Sequence, residues 1–358
     1  MHQYTADLAN RQHAAGADVH VVTTQHFPRD RYAPDVGLHT PLATRNTGFS
    51  LDAVRPRDLS RLIRATCDLR PDLVHLTGPH LWNPLLMRAL RREGVPTVHT
   101  LHDLHPHAGA VYGRLLYMWN GWVRRQAGHL LVHGQRYREE LLALGSPPGR
   151  VTCTWLTHLF VGYATERELV QSPPHAGGAG GVSYEPWALT IGRLERYKGL
   201  DVLVDAARGL DRQPLRVVIA GPGRLEQVIG QPLPGNVEVR NRLVGDAEAV
   251  DLFCRCGLVV LPYTEASQSA LVGAAHFFRK PVIVTRVGAL PEYVTEGETG
   301  WVIPPNDAQA LAAALRAALA DPVRLARMGD AGWAWYQRLR QAEDAVLHEM
   351  YANLVTGI

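Results

Sequence analysis

Strand-like and helix-like hydrophobic patterns alternate along the whole chain, and they do so twice, on either side of one Gly- and Pro-rich break. In the first half, apolar runs at 19–24, 73–76, 97–101 and 129–133 read as strands, with helices expected at 59–68 and 84–92. In the second half, strands are expected at 187–191, 217–220, 237–239, 258–261 and 282–285. An Ala- and Leu-rich helix over 307–319 follows, then one or two amphipathic helices over 333–354. Such alternation implies parallel sheets wound by helices, because a strand reaches a parallel neighbour only through a crossover. The break, QSPPHAGGAGGV at 171–182, has no apolar period and reads as a linker. The length of 358 residues also exceeds the roughly 250–300 at which single cores divide. The expected organisation is an α/β domain over 1–170, a linker over 171–182, a second α/β domain over 183–332 and a closing helix over 333–358.

The start of the chain departs from this scheme. Residues 2–15 already read as an amphipathic helix leading into the strand at 19–24. A doubly wound domain ordinarily opens with a strand and a Gly-rich turn before its first helix. The N-terminal domain is therefore expected to lack its first strand, with the true start lying upstream.

A hydrophobic fraction of 46% with 20% charged residues is ordinary for a folded chain and argues against disorder. No apolar run approaches the ~18–20 residues that cross a bilayer, and Met1 does not begin a secretory signal. A soluble, cytoplasmic protein is expected. The net charge of +3 gives no case for a nucleic-acid partner. Its distribution is uneven: residues 1–170 carry 19 arginines against 14 acidic residues, whereas 171–358 carry 18 basic and 20 acidic. The arginine-rich segments 55–70 and 88–92 suit either an anionic acceptor, peripheral contact with the inner face of a membrane, or simply a solvated face. The four cysteines, Cys67, Cys153, Cys254 and Cys256, lack zinc-site or redox spacing and are expected to be small buried thiols.

Only two of the 37 basic side chains are lysines, Lys198 and Lys280. Lys198 stands in GRLERYKG (192–199) at an expected strand-to-helix junction, with Arg193 five positions earlier. A compact ammonium differs from a planar guanidinium, and the pair could grip two oxygens of one diphosphate. Further on, PYTEASQSALVGAAHFFRKPVIVTRVGALPEYVTEGETGWVIPPND (262–307) reads as a strand end, a polar loop with Glu265, and a helix over 270–278. Ser267 and Ser269 are suitable N-caps, and a helix N-terminus suits a phosphate.

Together, Gly192-Arg193-Leu194 with Lys198-Gly199, Glu265, PVIVTRVGALPEYV and GETGWVIPPND resemble the nucleotide-sugar glycosyltransferases of family 4. The resemblance implies the GT-B fold: two Rossmann-like, doubly wound domains facing a cleft, with a C-terminal helix crossing back to brace the first. It implies a retaining transfer of a sugar from a nucleotide-diphosphate donor to a sugar, lipid-linked or other hydroxyl acceptor, in polysaccharide or glycoconjugate synthesis. The donor is then a co-substrate and no cofactor is needed. The chain has no Asp-x-Asp pair to hold a metal–diphosphate, so Arg193, Lys198 and the helix opening near Ser269 are expected to stabilise the departing phosphate without a metal.

By the same resemblance Glu265 contacts the donor-sugar hydroxyls, and His102, after the strand at 97–101, contacts the donor sugar near the reacting centre. Asp103, Gly192, Gly221, Gly223, Leu243, Ser267, Ser269, Ala270 and Leu271 are the further expected donor-side residues. His99, His105 and His107 beside them read as structural; a zinc cluster is the competing reading, disfavoured because the histidines straddle a loop with Pro106. One departure stands out. The family's second glutamate, seven residues beyond the first, is replaced here by Gly273, so the ribose must be recognised by other groups. Two rival readings stay open: a non-catalytic relative that binds a nucleotide-sugar or a partner, and a GT-B-like sugar-nucleotide epimerase.

Overall fold

The computed structural model describes residues 2–44, 55–105, 113–173 and 187–357. The expected linker lies outside these residues from 174 onward, as do Pro106 and His107. Internal contacts divide the chain into two units, Met1–Ala164 with Gln341–Ile358, and Thr165–Arg340.

The first unit opens with helix α1 (His2–Ala14), then strands β1 (His20–Thr24) and β2 (Gly37–Leu42) and helix α2 (Pro56–Cys67). Next come β3 (Val74–Leu76), α3 (Asn83–Arg92), β4 (Thr97–Thr100), α4 (Gly113–Gln126), β5 (His129–Val132), α5 (Gln135–Ala143) and β6 (Val151–Cys153). Every strand pairing is parallel, but the strands form two separate ladders: β1–β2, and β3–β4–β5–β6. Buried strands β4 and β5 are enclosed on both faces, which their unbroken apolar and Thr/His runs allow because every polar side chain finds a hydrogen bond or ring partner.

Helix α6 (Tyr163–Gln171) leads toward the second unit, which contains β7 (Trp187–Ile191), α7 (Leu200–Arg208), β8 (Arg216–Ala220), β9 (Val237–Arg240) and α8 (Asp246–Arg255). It continues with β10 (Leu258–Leu261), α9 (Ala270–Phe277), β11 (Val282–Thr285), β12 (Gly300–Ile303), α10 (Ala308–Ala320) and α11 (Pro322–Thr356). Six parallel strands lie in the order β12-β11-β10-β7-β8-β9. The order reverses beside β7, which is where open α/β sheets bind ligands. The core joins Leu200, Leu203 and Val204 of α7 to Val217 and Ile219 of β8, Val260 of β10 and Leu311 and Leu315 of α10.

Three strands were absent from the sequence expectation: β2, β6 and β12. β2 (GLHTPL) contains Gly and Pro and has a half-buried pattern; it is an edge strand, where proline is tolerated. The closing helix is one continuous element of 35 residues beginning at Pro322. Its residues from Gln341 belong to the first unit, where Glu343 meets Arg11 at 3.0 Å and Tyr351 meets His75 at 2.6 Å. The buried-thiol expectation holds for Cys256 only: Cys254 is exposed, and Cys67 and Cys153 are intermediate. Cys254 stands near the end of α8 with its side chain outward, while its carbonyl accepts a hydrogen bond from Lys280 Nζ at 2.9 Å.

Candidate active site

In the second unit the loops at the C-terminal ends of β7, β8 and β10 are tied to one another. β7 ends at Ile191, and the chain turns at Gly192 with φ +118°. A Cβ there would lie 2.7 Å from Lys198 Nζ, so glycine permits both the left-handed turn and the approach of the ammonium. Gly221 (φ +144°) faces the Gly192 carbonyl so closely that any Cβ would collide with it. Gly223 bridges to Leu194, and the Leu194 N–H donates to the Pro222 carbonyl at 2.8 Å. The Gly-Pro-Gly turn and the Gly192 turn therefore form one packed surface.

Lys198 closes a short 3-10 turn, Arg196–Lys198, and is only 8% exposed. Its Nζ lies 5.4 Å from the centroid of the Tyr263 ring. Among the described residues, no carboxylate lies within ion-pair distance of it. A buried cation costs free energy unless an anion meets it. Arg193 is in a different environment: its side chain is 76% exposed and pairs with Glu195 at 3.3 Å. The expected two-cation grip is thus not assembled in this structure.

The β10 loop is held from both sides. The Tyr197 carbonyl accepts from Thr264 N–H at 2.7 Å and from Glu265 N–H at 3.4 Å. On the other flank, Ala289 N–H donates to the Ser267 carbonyl at 2.8 Å and Thr285 Oγ1 donates to the Tyr263 carbonyl at 2.5 Å. This fixes half-buried Glu265 at the same edge as Lys198. Ser269 is the N-cap of α9, its Oγ accepting from Leu271 N–H at 3.4 Å. Ser267 is buried in the preceding turn, and Ala270 and Leu271 are half-buried in the first helical turn. Leu243, 79% exposed, lies in the loop beyond β9. Gly273 is buried within α9.

In the first unit His102 follows β4. Its Nε2 lies 2.9 Å from the Thr77 carbonyl, which makes Nε2 the protonated nitrogen of a neutral ring. Its ring meets Tyr4 edge-on at 5.0 Å and His133 at 5.4 Å. Burial is the main reason its pKa is lowered, opposed by the Thr77 hydrogen bond and the neighbouring Asp103 carboxylate. The Asp103 carbonyl accepts from Asn120 Nδ2 at 2.9 Å.

His99 is a core residue, 3.0 Å from Asn83 Nδ2 and edge-on to Trp119. His105 is exposed, paired with Glu140 and stacked on Tyr117. Tyr4, His75 and His133 surround the His102 region without having been singled out from sequence. His75 bonds Thr100 Oγ1 at 2.7 Å, and burial pushes its pKa down to about 3. His133 bonds Thr154 Oγ1 at 3.0 Å, and burial holds it well below the usual imidazole range. Their signal is a histidine on or just beyond β3, β4 and β5 alike.

These features define a protein of two parallel α/β units, one of which holds a buried lysine at its topological switch point. Residues 1–154 match the family described as "Glycosyl transferase 4-like domain", and residues 185–321 match "Glycosyl transferases group 1". The chain is 29% identical over 271 residues to a glycogen synthase of Mycobacterium tuberculosis, covering 72% of this chain and 62% of that protein. The chain thus spans under two thirds of that relative's length. Its structure is similar to sucrose-phosphate synthase from Thermosynechococcus elongatus (TM-score 0.74, 20% identity, 99% of this chain and 93% of that one). It is also similar to HepE of Anabaena solved with UDP (TM-score 0.65, 16% identity, 89% and 87% covered). The chain belongs to the family 4-type glycosyltransferases, a family of sugar-transferring enzymes, and its parallel α/β architecture is that of the GT-B fold.

Proposed function

We propose that this protein is a retaining glycosyltransferase that moves a sugar from a nucleotide-diphosphate sugar to a hydroxyl acceptor without a metal ion. The observation that carries the reading is Lys198, a buried cation with no carboxylate within ion-pair distance among the described residues, set against Gly192 at the sheet's switch point. HepE, a structural neighbour, was solved with UDP and with UDP and glucose, which supports a nucleotide-sugar donor here.

Lys198 and the first-turn N–H groups of α9 take the diphosphate, and charge growing on the leaving phosphate meets donors already in place. Glu265 accepts from the donor-sugar hydroxyls and orients the ring. His102, held by the bond from its Nε2 to the Thr77 carbonyl, contacts the donor sugar near the reacting centre. The departing phosphate takes the acceptor's proton from the face it leaves. Arg193 swings from Glu195 to the diphosphate once donor is bound.

The test is a thermal-shift panel of nucleoside diphosphates, since a ligand that binds only the folded state raises the melting temperature. One base should give a clear shift that is lost in Lys198→Ala, and transfer should persist in EDTA. A panel with no shift at millimolar nucleotide would sink the donor assignment, and donor turnover without acceptor to an epimeric sugar nucleotide would favour an epimerase.

The acceptor side carries a second specific feature. On α4, Leu115, Tyr117 and Met118 are more than half exposed and Trp122 is 37% exposed, with Arg124 and Arg125 in the last turn. An apolar face beside arginines suits an anionic membrane surface, and supports a lipid-linked acceptor and a cytoplasmic enzyme at the inner face of the membrane. Among the described residues no helix is long and apolar enough to cross a membrane.

A further inference from the structure

The first turn of α1 carries three polar side chains in succession, Gln3, Tyr4 and Thr5. Consecutive helical residues project about 100° apart, so the three reach different segments of the first unit. Gln3 Nε2 donates to the Phe160 carbonyl at 3.0 Å. The Tyr4 hydroxyl lies 3.3 Å from Thr100 Oγ1, and the Thr5 hydroxyl lies 2.7 Å from Thr77 Oγ1. Ala6 and Ala9 of the same helix pack into an apolar cluster with Val21, Tyr32 and Val36, so α1 has an apolar seat besides these polar anchors.

Two of those anchors converge on His102. Its Nε2 bonds the Thr77 carbonyl at 2.9 Å, and Thr77 is the residue whose hydroxyl Thr5 holds. A hydrogen bond at Nε2 pins the tip of an imidazole but not its plane, since rotation about χ2 is broad for histidine. The plane is met by Tyr4, whose ring stands edge-on to it at 5.0 Å and 89°. Tyr4 is 3% exposed and also meets His133 edge-on at 5.1 Å. Its hydroxyl joins a line of hydrogen bonds: Thr100 Oγ1 lies 2.7 Å from His75 Nε2, and His75 Nδ1 lies 2.6 Å from the Tyr351 hydroxyl on α11. Tyr4 is thus fixed at both its ring and its tip.

We propose that the first turn of α1 is the positioning element for His102: Thr5 fixes the Thr77 segment that holds Nε2, and Tyr4 sets the plane of the ring. Both residues act through the imidazole. A histidine held at tip and plane keeps one tautomer and one orientation. Released from either hold it samples others, and a misplacement of about 1 Å near a reacting centre lowers turnover by up to about 10²-fold. The consequence for transfer rests on the sugar-facing role proposed for His102 above; the hold on its ring does not.

Thr5→Val and Tyr4→Phe test this, because each removes one hydroxyl at nearly constant volume. In protein carrying isotope-labelled histidine, the NMR ring signal that His102→Ala deletes should move or broaden toward a tautomer mixture in both variants. Their kcat should fall by about 3- to 10-fold, as for a lost hydrogen bond, with nucleoside-diphosphate affinity unchanged, and Thr5→Ser should restore it. In a His102→Ala background the same substitutions should change the residual kcat by less than about twofold, since residues that act through one another are not additive. A His102 signal unmoved in both variants would overturn the proposal whatever happens to activity. So would equal losses of kcat with and without His102, which would make the turn a general part of the fold. A moved signal together with wild-type transfer in His102→Ala would keep the positioning and sink the role of His102 in transfer.

Discussion

Replacing Lys198 by methionine should make the unliganded protein more stable and less able to act. The ammonium is 8% exposed and, among the described residues, has no carboxylate within ion-pair distance. The effective penalty for a buried unpaired ion is several kcal/mol, of which the Tyr263 ring at 5.4 Å returns about 0.5–2 kcal/mol. With local relaxation, Lys198→Met is expected to stabilise the free protein by about 1–2 kcal/mol. For a unit of this size that is a rise in melting temperature of about 2–6 °C. With nucleotide bound the sign reverses. A hydrogen bond to a charged group contributes about 1.5–3 kcal/mol, so diphosphate affinity should fall by about 10- to 150-fold at 1.36 kcal/mol per decade. Loss of a cation from the growing charge should lower kcat by about 10²–10³. Lys198→Arg should also be impaired, because the broader guanidinium must share the space against Gly192, where even a methyl would come within 2.7 Å of Nζ. The assay is melting with and without the best nucleotide of the panel, alongside transfer. A variant that melts lower than wild type yet keeps full nucleotide affinity would show Lys198 to be structural.

Three further outcomes are expected. In Glu265→Gln, kcat/KM for the donor should fall by about one to two decades, as for a lost charged hydrogen bond, with sugar-free nucleotide affinity unchanged; equal losses in both would remove Glu265 from the sugar site. Arg11 pairs with Asp7 and Glu343, whose side chains are 4% and 3% exposed, so Arg11→Ala removes the cation that neutralises two buried carboxylates. It should cost about 3–5 kcal/mol, read as a drop in melting temperature, and an unchanged value would show the carboxylates to be solvated. Acidification should destabilise the protein before any carboxylate titrates. His75 and His99 are lowered by burial from 6.5 to about 3, so below pH ~6.5 the unfolded state binds more protons and stability falls with pH toward those folded values. A melting temperature that is flat between pH ~7 and ~5 would contradict their burial as neutral rings.

The strands most legible in sequence are those whose both faces are buried. β7, β10 and β11 show four or five consecutive buried residues, so the apolar run and the strand coincide and their ends are those expected. β2 escaped because its half-buried pattern gives neither alternation nor a continuous run. α11 was expected as one or two helices for a related reason. Its buried positions, among them Leu325, Met328, Trp335, Tyr336, Glu343, Leu347 and Met350, keep one helical period, but Gly329, Gly332 and the acidic Glu343 interrupt the apolar stripe. In the candidate site, the scarcity of lysine singled out Lys198, but nothing local to GRLERYKG distinguishes it from Arg193. That difference comes from Gly192, Gly221 and Tyr263, contributed by three different loops. Likewise the His102 surroundings draw Tyr4 from α1, His75 from β3 and His133 from the end of β5, which are remote in sequence and adjacent only in the parallel ladder.

Buried polar groups in the two units follow opposite logic, and that contrast separates structure from function. Around β4, burial lowers the pKa values of His75, His99 and His133, and each ring bonds to a threonine or asparagine side chain. Neutral groups hydrogen-bonded in a dry core specify packing. At the switch point of the second sheet the fold does the reverse. It uses two left-handed glycines and a shared backbone surface to bring an ammonium out of water without a carboxylate to meet it. A chain selected only to fold would place an acidic residue there or leave the cation in solvent, as it does for Arg193 with Glu195. The unmet charge is therefore the feature that folding alone does not explain and that the proposed diphosphate seat would, and it makes Lys198 the residue on which the proposed chemistry stands or falls.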